Sequence, residues 1–338
     1  MKNILYILIL LVLCCCSSND SKTEKRQSKR DNTIFVKDKV KPIVVEDVLI
    51  GSIARLAILN DYLLIKNVKS LDKLVSIFDK NNFNYITSTA DLGPGPGEIT
   101  NMGYLETREE ERAFYLSDHG KLIIYRFDID SVIKDSDYVP SEKMKIRKSV
   151  FPSTYFSIND SLAIGLIIKP IGNSDFSQSV GTWNMNTGKI EAMPYEHPEI
   201  GKKRVTLGVS LENNIYIECY LYYDLMTICS LDGDLKYNIY GPNWAKTQKR
   251  RIDHYKKPII CKDKIFTAYS GEEPSPSNPN SFPTKFFVFD LNGDYIQTLD
   301  VEYQISDYCY DDENNRIIMV LDDKILQFGY LDLDGIID

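Results

Sequence analysis

The chain has three histidines, His119, His197 and His254. No pair of them makes an HxH or HExxH metal spacing, and no GxSxG elbow lifts a serine nucleophile. Asp118-His119 has the composition of half an acid–base pair, but its setting in a polar loop reads better as surface. Asp290-Leu291-Asn292-Gly293-Asp294, Ser230-Leu231-Asp232-Gly233-Asp234 and Asp332-Leu333-Asp334-Gly335 imitate the start of a calcium loop. None carries a glutamate at the twelfth position in the right context, and Asn-Gly or Asp-Gly between strands is the ordinary hairpin turn. Gly93-Pro94-Gly95-Pro96-Gly97-Glu98 has the glycines of a phosphate cradle without the lysine or the following helix. Its prolines remove amide donors. Gly93, Gly95, Gly97 and Glu98 therefore read as a rigid crossover. No catalytic residue, metal site or cofactor is expected.

Four cysteines beyond residue 16, at Cys219, Cys229, Cys261 and Cys309, fit neither CxxC nor a metal cluster. Cys219 and Cys229 fall on neighbouring strands of one hairpin, where a bridge is conceivable. Small buried thiols without a disulfide are the expectation.

The elements that must hold these residues repeat. Six polar turns precede short apolar strands: Asn60-Asp61 before YLLIKN, Glu110-Glu111-Arg112 before AFYLSD, and Asn159-Asp160 before SLAIGLII. Glu212-Asn213-Asn214 before IYIECY, Lys262-Asp263-Lys264 before IFTAYS, and Asn314-Asn315-Arg316 before IIMVLDD complete the set. Markers at 60, 110, 159, 213, 263 and 315 lie 50, 49, 54, 50 and 52 residues apart. A second motif, an aromatic or apolar strand ending in a turn, follows each in step, as in SIFDKNNFNYI, YRFDIDSVI and FVFDLNGDYIQTL. A period of about 50 built from short strands and tight turns predicts an all-β, six-bladed propeller with four-stranded antiparallel blades. The polar turns would join strands A and B, and the Asp/Gly turns strands C and D. The last copy lacks a fourth strand, and KPIVVEDVLI at 41–50 is the spare strand that would close the ring and cover two open edges. Only 243–257 reads as a short helix or an exposed loop.

The N-terminus gives an address. Lys2 precedes an apolar run from Ile4 to Leu13, too short to span a bilayer and patterned like a secretory signal. Leu13-Cys14-Cys15-Cys16 resembles a bacterial lipobox, with Cys16 as the best-fitting acylated residue of a signal over 1–16 and Cys15 as the alternative; plain secretion with three incidental cysteines is the competing account. Residues 17–33 contain nothing apolar and are expected to be a disordered tether, leaving 34–338 as the propeller. No Asp follows Cys16, so an outer-membrane lipoprotein facing the periplasm or the surface is expected. The formal charge is −8, and it becomes −11 for the body once Lys2 and 17–33 (five basic residues, three acidic) are set aside. An acidic body without a basic stripe argues against nucleic acid.

The lipobox, six blades and LGPGPGEITN at 92–101 together resemble the TolB-like six-bladed propeller lipoproteins of Gram-negative bacteria. That resemblance implies fold and location and implies no activity.

Two functions follow. The first is a monomeric, non-catalytic binding or scaffold protein that recognises a protein, peptide or glycan through one face. The alternative is a hydrolase, lactonase or lyase centred on the channel, with calcium as its possible metal, which needs three or more carboxylates converging at the axis. The long connections, 169–179 and 270–284 (B–C) with 91–101, 194–206 and 241–257 (D–A), fall on one side, and long loops carry function. They direct Lys169, Tyr195, His197, Arg204, Trp244, Arg250, Arg251, His254, Tyr255, Glu272 and Glu273 to one rim. Trp, Tyr and Arg there suit a binding hot spot. A solvated helix packing Trp244 onto a neighbouring blade is the competing account of 241–257.

Overall fold

The structure, a computed structural model, describes residues 22–337 except 52, 136, 147–149, 173–174, 248–249, 276–281 and 323–325. The signal expected over 1–16, with Cys16, lies outside the described residues.

Six four-stranded antiparallel blades surround an axis, with strands lettered A to D outward. Blade 1 holds Ala54–Leu59, Tyr62–Asn67, Lys73–Asp79 and Tyr85–Asp91, and blade 2 holds Met102–Arg108, Ala113–Asp118, Ile123–Asp128 and Ser141–Lys145. Blade 3 is Pro152–Ser157, Leu162–Pro170, Phe176–Asn184 and Lys189–Ala192, and blade 4 is Val205–Ser210, Ile215–Tyr220, Leu225–Ser230 and Leu235–Tyr240. Blade 5 is Asp253–Cys261, Lys264–Glu272, Lys285–Asp290 and Tyr295–Asp300. In blade 6, Ile305–Asp311, Arg316–Leu321 and Phe328–Asp332 take their fourth strand from Lys41–Ile43. The closing strand thus comes from within 41–50, shortened to three residues.

The turns follow from local chemistry. The A–B turns place Asn60, Arg112, Asn214, Lys262 and Asn315 at φ of 44–55°, a left-handed conformation that Asn tolerates best among residues with a side chain. In the C–D hairpin of blade 5, Gly293 stands at φ 81°. Asp290 Oδ1 accepts the N–H groups of Asn292 and Asp294 there. That carboxylate is spent on its own turn. The C–D connection of blade 2 departs from the short expected turn, because Asp128 accepts from the Ser131 N–H and caps a helix over Ile129–Lys134.

Six apolar clusters lie among the described residues, one between each pair of adjacent blades. Strands B and C are sandwiched on both faces, which is why AFYLSD, IYIECY, LMTICS and RIIMVL are buried at every position. Cys219 packs between blades 4 and 5, and Cys229 between blades 3 and 4. They face opposite sides of one sheet and cannot bridge; all four of these cysteines are free and buried.

The disordered tether expected over 17–33 is corrected from residue 22 onward. Glu24–Arg26 adds a parallel fifth strand to the outer edge of blade 4, and Thr33–Phe35 does the same on blade 5. Between them Arg30 ion-pairs with Asp224 at 2.8 Å, both side chains almost fully buried. Its guanidinium also donates to the Tyr255 hydroxyl and lies over Phe287 and Phe289. Val36 is then fully buried between blades 5 and 6. Residues 22–43 are a strap across three blades. Strand addition bonds through the backbone, so a polar sequence can do it.

Candidate binding face at the channel mouth

The A strands enclose a central channel of about 1650 Å³. At the end carrying the A–B and C–D turns, charges are matched. Lys80 meets Glu313 at 2.7 Å and Asp311 at 3.5 Å, and Arg316 meets Asp311 at 2.9 Å. Arg108 meets Glu111 at 2.7 Å and Glu106 at 3.6 Å. Burial pushes the Glu106 carboxyl up, while the N–H and hydroxyl of Ser157 pull against it.

The other end, where D–A and B–C connections emerge, is different. Arg55 and Lys66 are register partners on blade 1. Arg55 donates to the carbonyl of Ala54, and the Lys66 ammonium donates to the Gly103 carbonyl at 2.7 Å. Neither has an ion pair among the described residues. Burial lowers Lys66 to about 8, with Arg55 and Lys257 pushing the same way and Asp307 opposing. On blade 5, Lys256 is lowered first by burial and then by Arg55 and Arg251, with Asp253 opposing. Lys257 is matched by Asp307 at 2.8 Å, whose other oxygen accepts the Leu56 N–H. Among the described residues no group of three or more His, Cys, Asp or Glu could hold a metal ion. The buried carboxylates of the channel, Glu106, Asp307 and Asp311, each lie against a cation instead.

The residues expected at the rim separate into two groups. Arg250 and Arg251 are exposed, Arg250 with Glu273 at 3.1 Å, and Arg251 with Asp253 at 3.0 Å and over the Tyr222 ring. Glu272 is exposed beside them. Lys169 reaches Glu196 at 3.9 Å, and Arg204 pairs with Asp175 at 2.9 Å while covering the Phe176 ring. The second group is inside the fold. His197 is buried, its Nδ1 accepting the Glu199 N–H and its Nε2 against the Tyr240 hydroxyl. His254 and Tyr255 are buried too, His254 Nδ1 lying 3.1 Å from the Tyr269 hydroxyl. Burial lowers both imidazoles. Tyr195 accepts from Asn238, and burial raises its phenol to about 12. Trp244 is half-buried against Tyr240, His197 and Tyr223.

The cause is a shift of boundaries. The helix or exposed loop expected over 243–257 is instead a connection that gives way to strand A of blade 5 at Asp253. Similarly, much of 169–179 and 270–272 extends long hairpin strands. Arg55, Lys66, Lys256 and Asp307 escaped sequence reasoning because they sit in strands. A signal existed for Lys256-Lys257, since a strand A must precede the Lys262-Asp263-Lys264 turn as it precedes the other five.

Asp118 and the glycine loop are structural. The buried Asp118 carboxylate accepts the N–H groups of Thr100, Asn101 and Gly120, bonds that hold its pKa down against burial. His119 packs edge-on to Phe151. Glu98 folds back to accept the Gly95 N–H at 2.6 Å, and Lys121 donates to the carbonyls of Gly95 and Glu98. Gly97, at φ 76°, has no room for a Cβ beside Val139.

Comparison with known proteins agrees with this architecture. The DUF5128 family profile, described as a 6-bladed β-propeller, matches residues 44–150. A DUF4221 family member from Bacteroides vulgatus superposes with a TM-score of 0.61 at 10% identity, covering 87% of this chain and 97% of its own. A candidate exported protein from Bacteroides fragilis superposes with a TM-score of 0.56 at 11% identity, covering 91% and 98%. No curated protein sequence matches the chain. These likenesses support a β-propeller family and show the fold alone.

Proposed function

We propose that this chain is a non-catalytic binding protein of the cell envelope, a TolB-like lipoprotein of the outer membrane anchored through Cys16. It recognises a protein, peptide or glycan through the face on which the D–A and B–C connections emerge. The observation that carries the reading is the difference between the two ends of the channel. At one end each named cation has a carboxylate; at the other, cations without acidic partners open onto a rim with exposed Arg250, Arg251 and Glu272. With the strap fixed from Glu24, only 17–23 separates it from the proposed lipid, a reach of at most about 25 Å. The domain would then sit close to the membrane.

The test has two parts. Fatty-acid labelling is expected to be lost in Cys16→Ala and kept in Cys14→Ala; labelling that persists without Cys16 moves the anchor to another residue and overturns the choice of Cys16. Envelope extract is passed over immobilised protein, and retention is compared for Arg250→Ala with Arg251→Ala and for Arg112→Ala with Lys189→Ala at the opposite end. Retention should fall at least tenfold in the first and stay unchanged in the second. Equal loss in both, or none in the first, overturns the choice of face. Trp244→Ala is a poor probe, since the ring packs into an aromatic cluster.

A further inference from the structure

We propose that the channel mouth is a binding site for a small polyanion, a ligand with two or more carboxylate or phosphate groups, held by the adjacent Arg55 and Lys66 of blade 1. The proposal rests on the reading of this end as the binding face and adds a small ligand in the channel mouth to the partner recognised at the rim.

Charge balance is the first ground. The chain carries 48 acidic residues against 40 basic ones, and cations whose side chains are almost fully buried have found carboxylates: Arg30 with Asp224, Lys203 with Glu218, Arg316 with Asp311. Buried charges are normally paired in this way. At the mouth one carboxylate, Asp307, stands among four cations, and its two oxygens are committed to Lys257 and the Leu56 N–H. Arg55, Lys66 and Lys256 are left without an acidic partner among the described residues.

Geometry is the second. Arg55 and Lys66 line the cavity side by side across one strand pair. Lys66 is anchored through one N–H to Gly103, leaving two donors on its ammonium. Lys257, already paired with Asp307, lines the same cavity from blade 5. Two adjacent cations without acidic partners match a ligand that carries at least two negative charges better than one that carries a single charge. The channel behind has room for the rest of a small molecule. Like charges held together in a half-buried site cost stability unless a ligand offsets them, and such sites are where binding is found.

Lys66 supplies a readout that a purely structural lysine lacks. The charged groups acting on it are Arg55 and Lys257, which disfavour its proton, and Asp307, which favours it; His119 beside it is itself lowered by burial and by Lys66. An arriving anion favours the ammonium form, so binding at pH 8 takes up part of a proton.

The experiment is isothermal titration calorimetry of the protein with citrate and with pyrophosphate, alongside acetate as a monoanion. Low salt is used, in two pH 8 buffers of different ionisation enthalpy. At least one polyanion should bind, more than tenfold tighter than acetate and with proton uptake. Citrate and pyrophosphate separate a carboxylate site from a phosphate one. Arg55→Gln and Lys66→Gln should each weaken binding at least tenfold, Lys66→Gln should abolish the uptake, and Lys66→Arg should retain binding. Arg112→Gln, at the opposite end, should change nothing. Arg55 is exposed and its side chain bonds only to the carbonyl of the preceding Ala54, so its variant keeps the fold, which a thermal melt verifies. Absence of binding by folded wild type, or equal binding by all variants, overturns the proposal. If rim variants still lose extract retention in that case, the binding face stands and its ligand is not a polyanion.

Discussion

At the scale of single residues, the side chains expected to do chemistry and those placed to do it are different sets. His197 and His254 are polar tips of buried aromatic belts, and Asp118 is a clamp on a loop. Lys66, unremarkable inside YLLIKN, is the perturbed group. Its lowered pKa has a stability consequence of definite sign. Between about 8 and the ordinary value of 10.5 the unfolded chain holds more protons than the native one, so stability rises with pH across that window. The penalty is fully present below about 8 and vanishes above 10.5. Lys66→Gln is therefore expected to stabilise the free protein by about 1–3 kcal/mol at pH 7, with the gain disappearing by pH 10.5. Urea unfolding at both pH values checks this; a destabilised variant at pH 7 would mean that the bond to Gly103 outweighs the charge.

At the scale of elements, the turns were legible because their causes are local. An Asn in the left-handed region or a Gly in a hairpin acts within four residues, and the sequence contains those four. The strap was not legible. Its residues are polar, and what orders them is an open edge on strands 200 residues away, together with one buried ion pair. Arg30 is the residue that ties it down. Arg30→Met removes the cation and leaves Asp224 buried without its partner, which costs about 3–5 kcal/mol. Adding Asp224→Asn should recover part of that loss. Denaturant midpoints of the two variants decide it, and an Arg30→Met protein as stable as wild type would show the strap to be detachable.

At the scale of the molecule, the strap and the ring closure are one device. Residues 22–43 cover the outer edges of blades 4 and 5 and complete blade 6, so their loss uncovers three edges at once. Deleting 22–36 alone, with the closing strand Lys41–Ile43 kept, is expected to lower the melting temperature by about 5–15 °C. Self-association through the freed edges should accompany it. Calorimetry and sedimentation together test this; an unchanged, monomeric truncation would return 22–36 to the status of a tether.

The sequence by itself determined the number of blades, the positions of the A–B and most C–D turns, the source of the closing strand and the structural role of the glycine loop. Each is set by residues close together in the chain and repeated six times, so the pattern survives without knowledge of the fold. Only the tertiary structure decided the course of the strap, the burial of His197, His254 and Tyr255, and the charge at the channel mouth. Arg55, Lys66, Lys256 and Asp307 come from three blades and span some 250 residues of chain. Closing the ring brings their fields together, and no local pattern records which charges a closed ring will leave unmatched.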